Sequence, residues 1–559
     1  MKRKWNLWNI ICFTGIPWFF IGLGSGLYIK SWYYSSYKRR VFQIRQYDDI
    51  KDILLMACIL WIIVILFNSL HLNSDKSFGL FTWLEKYRYE PSAESWRKRK
   101  AQHPPVDEKY LSDVPDGLVL GKSGKKYVRF PIKEGNALST IILGTPGSGK
   151  STLILTSLIY QQHRKLKKGD EKSVYFILDC KPELLRKSSM PGAKTIKELS
   201  IQDRSKFGWD VYYRLTNCSC DDEVLSELDV IARALIDGGK DNKNEFFYES
   251  ARAIFKFMCL ADYKKGKSFM QTIDHILDSN LEQMVKQTIE NAEGKSELIK
   301  VKKGLNAYVG KDGEAFQGIE LAFRQSLEVF QKDATKFFLD GNPKKLSPMT
   351  LEDKISIAFT IKTTKIQEFK TILRVVVMQL IHHCEDRDED GSHLITLIID
   401  EAYRLGLINW IDFLSVCRSK QVSCVLAFQS LSQMQSVWSK EDATSLTEMV
   451  SAIAILSCSD PQTQKMICDW VGEYQEEKIS TNVGGKNDGT FSRSFETKKI
   501  LQPTDLMQIK NKKEVVLFLD GSYYRVNVEK AKYYMIPEIL KYSERCVSAH
   551  KKYENRRKE

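Results

Sequence analysis

Residues 144–151 read Gly144-Thr145-Pro146-Gly147-Ser148-Gly149-Lys150-Ser151, the spacing G-x-x-x-x-G-K-[ST] of a phosphate-binding loop. Its glycines let the backbone approach a polyphosphate with no Cβ in the way. Its N–H groups converge on a β-phosphate at the start of a helix, where the dipole favours negative charge. Lys150 suits a bridge between β- and γ-phosphates. The Ser151 hydroxyl, followed by Thr152, suits Mg²⁺. A second constellation completes the chemistry. The apolar run Leu394 to Ile399 ends in Asp400-Glu401. Asp400 is expected to hold Mg²⁺ through water, and Glu401 to orient or activate the attacking water. Asp179 also ends an apolar run, but Cys180 follows it and no second carboxylate does. The pair at 400–401 is therefore preferred, and the expected reaction is hydrolysis of ATP with Mg²⁺.

Two further side chains are candidates. Gln429 follows the run Cys424 to Phe428, at a strand end where it would sense the γ-phosphate or position water; the alternative is a solvent-facing loop glutamine. Arg418 precedes that strand. It is either an arginine finger reaching a neighbouring subunit's γ-phosphate or a solvated surface arginine.

These residues need a sheet to hold them. Ser139 to Leu143 reads as a buried strand and Thr152 to Gln161 as a helix with Leu153, Leu155, Leu158 and Ile159 inward. A chance Gly-rich turn would lack this setting. Strands are expected at Val174–Asp179, Ile355–Phe359, Leu394–Ile399, Val422–Ala427, Ile453–Leu456 and Val515–Leu519, with a helix at Phe369–Cys384. Alternation of this kind predicts an α/β fold with a mainly parallel sheet. Gly117 to Ile132 reads as a hairpin, and Ser480 to Arg493 as a loop or hairpin. Between about 221 and 345 the pattern is helical. The 250 residues from Lys150 to Asp400 are long for one nucleotide-binding core and imply an inserted all-α domain.

The chain has 559 residues, a net charge of +14, 43% hydrophobic and 28% charged residues. This is a globular composition of two or three domains, and its basic excess suits nucleic acid or an anionic membrane. A lysine-rich surface spread over a large protein is the plain alternative. The 12 cysteines are scattered, with Cys218 and Cys220 the only close pair, so they predict reduced thiols rather than a zinc site. No charge occurs between Lys4 and Lys30, and a second stretch, Ile53 to Leu70, is apolar without interruption from Ile53 to Phe67. The first is long enough to span a bilayer, which needs about 20 residues, and the second is read as a second span. A cleaved signal peptide would not account for the second. Cytosolic ATP then places both termini inside, although the basic loop of residues 30–52 runs against the positive-inside trend.

The expected domains are a two-helix transmembrane anchor (1–72), a juxtamembrane linker (73–116), the first part of the nucleotide-binding domain (117–260), an all-α insert (261–345), the second part of the nucleotide-binding domain (346–535) and a basic tail (536–559).

Asp400-Glu401-Ala402-Tyr403-Arg404-Leu405, Phe413 to Arg418 and Ala427-Phe428-Gln429-Ser430-Leu431-Ser432-Gln433 together resemble the type IV coupling proteins of conjugation (TraG/TraD-like). Leu178-Asp179-Cys180-Lys181-Pro182-Glu183-Leu184 is similar to that family's D-x-K-G-E segment, with Pro182 in place of glycine. The order of parts matches over most of residues 1–535. The resemblance implies a homohexameric ring in the inner (cytoplasmic) membrane, with a RecA-like P-loop NTPase core and a cytosolic all-α domain. It implies recruitment of single-stranded DNA with bound relaxase to a type IV secretion channel, and DNA transfer driven by ATP hydrolysis. It carries Lys150, Ser151, Asp400, Glu401, Arg418 and Gln429 into the roles above. Three other readings compete. An FtsK-like double-stranded DNA translocase would carry more spans and a C-terminal winged helix. A receptor that has lost hydrolysis would not keep Lys150, Ser151, Asp400 and Glu401. A coupling ATPase for protein effectors would share the whole site.

Overall fold

Strands without a polar face need cover on both sides. Ile395–Ile399 and Val422–Phe428 are buried at every position. The protein, described from a computed structural model, is defined over residues 58–59, 101–130, 137–163, 174–238, 245–308, 313–389, 393–406, 408–482 and 490–556. It divides into two units, Met1–Ser95 and Trp96–Glu559. Apart from Cys58 and Ile59, the two stretches expected to span a membrane lie outside the described residues. Among the described residues no helix is long and apolar enough to cross one.

The strands of the second unit are β1 (Leu111–Ser112), β2 (Leu118–Ser123), β3 (Lys126–Phe130), β4 (Thr140–Leu143), β5 (Val174–Asp179) and β6 (Ile196–Leu199). A short pair follows, β7 (Gly208–Trp209) and β8 (Lys345–Leu346). Then come β9 (Ser356–Thr360), β10 (Ile395–Ile399), β11 (Val422–Phe428), β12 (Ala452–Ile455), β13 (Glu473–Asn482), β14 (Thr490–Lys499), β15 (Glu514–Leu519) and β16 (Ser522–Asn527). Among the described residues, twelve of them form one sheet in the order β1-β3-β2-β16-β15-β12-β4-β11-β10-β5-β9-β6. From β12 to β6 every neighbour is parallel. From β12 to β1 every neighbour is antiparallel. The expectation of a mainly parallel sheet thus holds for its core, and the antiparallel wing makes the whole sheet mixed. β13 and β14 form a separate ribbon, so the glycine-rich segment after Ser480 joins the arms of a long hairpin.

Helix α1 (Lys150–His163) follows the phosphate loop. Between β7 and β8 lie α2 (Asp221–Leu235), α3 (Glu245–Lys264), α4 (Phe269–Asp278), α5 (Leu281–Asn291), α6 (Ile299–Asn306) and α7 (Gly313–Leu327). After β9 come α8 (Lys370–Glu385), α9 (Trp410–Cys417), α10 (Leu431–Val437) and α11 (Pro537–Arg556). Side chains alternate between the sheet's faces. Ile141, Leu397, Leu426 and Ile455 pack on one side with Leu228, Phe255, Ile273 and Val376 of the helical segment and α8. Ile142, Ile398, Val425 and Ala454 pack on the other with Leu153 and Ile159 of α1 and Ile539 of α11. Each fully buried leucine or isoleucine here contributes about 1.5–3 kcal/mol. The Val119 N–H donates to Ser157 Oγ at 2.9 Å, tying α1 to the wing.

Three of the expected segments contain secondary structure of their own. Residue 261 falls inside α3, and the helical run starts at Asp221, where the helical pattern is expected to begin, as apolar residues repeat every third or fourth position from there. The supposed linker contributes β1, with Tyr110 buried against Phe130 and Tyr524. The supposed basic tail is α11 over most of its length. Ile539, Ser543, Cys546 and His550 line its buried side, spaced at helical intervals within a polar sequence. The described cysteines are free thiols, mostly buried, as expected.

The N-terminal ends of β9, β10 and β11 are joined by a buried guanidinium. Arg387 donates to Glu352 through Nε (2.9 Å) and Nη2 (3.2 Å), to Lys420 O (2.7 Å) and to His393 O (2.8 Å). His383 meets the same carboxylate at 3.0 Å. Burial alone would raise the Glu352 pKa, but His383 and Arg387 outweigh it and hold it at about 2, against an ordinary 4.5. A carboxylate depressed in this way stabilises the fold fully above its unfolded pKa. Stability is therefore expected to fall as pH drops from about 4.5 toward 2. Glu352→Gln should flatten this part of the profile in urea titrations.

Candidate functional site

β4 pairs with β11 and β12, so the loop after it opens at the C-terminal edge of the parallel strands, where ligands of such sheets bind. Leu143 is level with Phe428 and Ile455, and the Gly144 N–H donates to Phe428 O at 3.2 Å. Ile399 is level with Leu426 and Leu178, which brings Asp400, Asp179 and Gln429 to the same edge. One edge of the sheet therefore collects the loop, both acidic strand ends and the glutamine.

The loop's shape follows from its glycines. A Cβ on Gly144 would collide with Ser148 Oγ. Gly147 (φ +73°) and Gly149 (φ +102°) take backbone angles that side chains oppose. The Thr145 N–H donates to Ser457 Oγ at 2.9 Å, and the two hydroxyls meet at 2.7 Å, so the end of β12 anchors the loop. Ser148 Oγ is buried with no hydrogen-bond partner among the described residues. Pro146 and Gly147 are exposed at the tip, with Ser151 and Thr152 half-buried at the start of α1. Glycines that leave room for an anion, a lysine and two nearby acids form a donor set that fits a nucleoside triphosphate with Mg²⁺.

Lys150 Nζ donates to Gly144 O. Burial lowers its pKa and Lys181 adds to that, while Asp400 and Glu401 pull it back up. Asp400 is raised by burial first and by Glu401 second, opposed by Lys181 and Lys150. The two acids and two ammonium groups thus share one field. Glu401 is buried in a left-handed conformation (φ +57°) and accepts from Arg404 Nε. Such a conformation costs about 1–3 kcal/mol and tends to occur at functional sites. The Gln429 N–H donates to Gln433 Oε1 at 2.9 Å, and Gln433 also bonds Tyr403. This links the loops after β10 and β11.

Asp179 has another task. Its carboxylate accepts the backbone N–H groups of Lys181 (3.3 Å), Glu183 (3.1 Å) and Leu185 (3.0 Å). Burial raises its pKa to about 6 in spite of these donors. Asp179→Asn, which turns one acceptor into a donor facing them, is expected to cost about 2 kcal/mol in urea melts. Asp400→Asn should leave stability within about 1 kcal/mol, because it relieves a buried charge.

Arg418 is not at this edge. It is exposed at the start of the turn before β11, and its charge acts on Asp520, whose backbone N–H bonds Ser451 O at the opposite end of β12. Within one chain it does not meet the loop. Sequence reasoning missed Ser457, Arg404 and Gln433 as parts of the site, and left Lys181 without a role. Lys181, Arg404 and Gln433 do lie within the motif segments that carried the resemblance.

Residues 133–556 match the family described as Type IV secretory system Conjugative DNA transfer. No curated protein sequence matches the chain. Among solved structures, the bacterial conjugative coupling protein TrwB, as TrwBdeltaN70, aligns with a TM-score of 0.56 at 16% identity. The match covers 77% of this chain and 91% of that one. TrwB in complex with the ATP analogue ADPNP aligns at 0.57 and 17%, over 75% and 90%. TrwB with ADP and Mg²⁺ aligns at 0.55 and 17%, over 75% and 91%. These likenesses show a shared α/β fold with a large mixed sheet. The family match spans the loop, the acidic pair and the glutamine, and the chain belongs to the type IV secretory system conjugative DNA transfer family, the coupling proteins of conjugation.

Proposed function

We propose that this coupling protein is an ATPase that recruits a relaxase-bound single-stranded DNA to a type IV secretion channel and drives its transfer. The observation that carries the reading is the meeting of Lys150, Asp400, Glu401 and Gln429 at one sheet edge, around a loop that a Cβ at Gly144 would close. In this reading the backbone N–H groups of Gly147 and of residues 149–151, with the Lys150 ammonium group, bind the triphosphate. Glu401, held by Arg404, takes the proton of the attacking water, and Gln429 positions that water. Mg²⁺, held by Ser151 and Asp400, would supply charge neutralisation between the β- and γ-phosphates. The placement of Arg418 away from its own loop is compatible with a finger offered to the next subunit of a homohexamer. Residues 1–72 would anchor the ring in the inner membrane as a multi-pass segment with the large unit cytoplasmic. The helices between β7 and β8 would form the all-α domain.

The net charge of +14 supports a nucleic acid cargo. In fluorescence anisotropy the full chain should bind a single-stranded oligonucleotide with an affinity that falls steeply with salt, by a log–log slope of about −0.7 per phosphate contact. Salt-insensitive binding, or none, would point instead to protein cargo.

A further inference from the structure

β15 runs antiparallel to β12, so the open end of the β15–β16 hairpin lies at the same edge as the phosphate loop. The chain enters the hairpin through Lys510–Lys513 and leaves it through Val528–Met535. The two segments are joined by the Val528 N–H donating to Lys513 O at 2.9 Å. Each delivers a lysine to the loop. A Cβ on Gly147 would lie 3.8 Å from Lys510 Nζ, and one on Gly149 would lie 3.6 Å from Lys532 Cε and 3.9 Å from its Nζ. Lys510 is exposed and pairs with no carboxylate among the described residues. Lys532 is mostly buried and held by Glu529 at 2.5 Å, and Glu529 also accepts Tyr534 Oη at 3.0 Å.

This placement gathers cationic side chains at one end of a helix. The loop is the N-terminus of α1, the positive end of the helix dipole, and Lys150 already sits there. Burial lowers the Lys532 pKa, but Glu529 and Tyr534 outweigh it and raise it, so this ammonium group stays charged beside the loop, where with Lys510 it can meet a polyanion. We propose that Lys510 and Lys532 form a second cationic wall of the nucleotide site, contacting the polyphosphate of a nucleoside di- or triphosphate, with Glu529 positioning Lys532. The proposal rests on the reading of residues 144–151 as a nucleotide site. It adds a contribution from the C-terminal hairpin that no loop motif contains.

The test is equilibrium titration of the full chain with Mg²⁺ and a fluorescent N-methylanthraniloyl ADP, with melting temperature recorded for each variant. Wild type should bind and Lys150→Ala should not; if wild type fails to bind, the nucleotide reading itself falls. The Lys510→Ala/Lys532→Ala double variant should raise Kd about tenfold and make it less sensitive to salt. Lys532→Arg should keep wild-type affinity, and Glu529→Gln should weaken binding at an unchanged melting temperature. Lys510→Ala alone removes an exposed, unpaired side chain, so it cannot unfold the chain, and should raise Kd about threefold. A Kd within experimental error of wild type in both lysine variants, with Lys150→Ala still defective, would overturn the proposal.

Discussion

Lys150→Ala is expected to abolish ATP turnover, lowering phosphate release by at least about 10²–10³-fold, the scale for losing one preorganised charge at a reacting centre. The loop's other donors remain, since Gly144, Gly147 and Gly149 set the backbone and Ser457 holds Thr145. What goes is the loop's own ammonium group, one of the two, with Lys181, that act on Asp400 in the buried site. α1 keeps its buried residues Leu153 to Ile159, so the variant should fold with an unchanged circular dichroism spectrum. Glu401→Gln separates binding from chemistry. The amide retains the shape and an acceptor for Arg404 but cannot take a proton. Nucleotide affinity should persist while turnover falls to the same floor. Turnover within tenfold of wild type in either variant would refute the assignment of this edge as the hydrolytic centre.

Arg387→Ala should cost about 3–5 kcal/mol of unfolding free energy, the range for removing one partner of a buried ion pair. The guanidinium is almost fully buried. Its loss strips donors from Glu352 and from the carbonyls of Lys420 and His393, at the starts of three parallel strands. Chemical denaturation would measure it, and Arg387→Ala/Glu352→Gln should recover part of the loss because the half-buried carboxylate is then no longer charged with only His383 left to hydrogen-bond it. A cost below about 1 kcal/mol would show that water replaces these bonds.

The core of the sheet was legible because it is written in local patterns. β5 begins and ends where its apolar run does. β10 and β11 fall within one residue of their apolar runs, since strands buried on both faces are almost wholly apolar, with Thr396 and Ser423 the polar exceptions. The phosphate loop declared itself through glycines that its backbone angles require. What stayed hidden depends on partners distant in sequence. Arg387 looks like one charge in a polar segment until the fold brings Glu352 and two strand ends to it. Lys510 and Lys532 are two lysines among many until the hairpin turns them toward Gly147 and Gly149. α11 has so polar a sequence that only contact with α1 and the helix at Leu184–Ser188 reveals its buried side.

The position of β4 bears on how this protein is made. In the finished sheet it lies between β11 and β12, with Ser423 reaching Leu138 across 285 residues of sequence. A ribosome therefore releases the strand that carries the phosphate loop long before either neighbour exists. Throughout that interval its backbone N–H and C=O groups have no sheet partners, a state that invites mispairing. The nucleotide site is accordingly among the last features to mature. A ligand held there at a hundred times its dissociation constant adds about 2.7 kcal/mol to the completed fold and nothing to a partial chain. A nucleotide that binds this edge would thereby also favour chains whose synthesis and folding are complete.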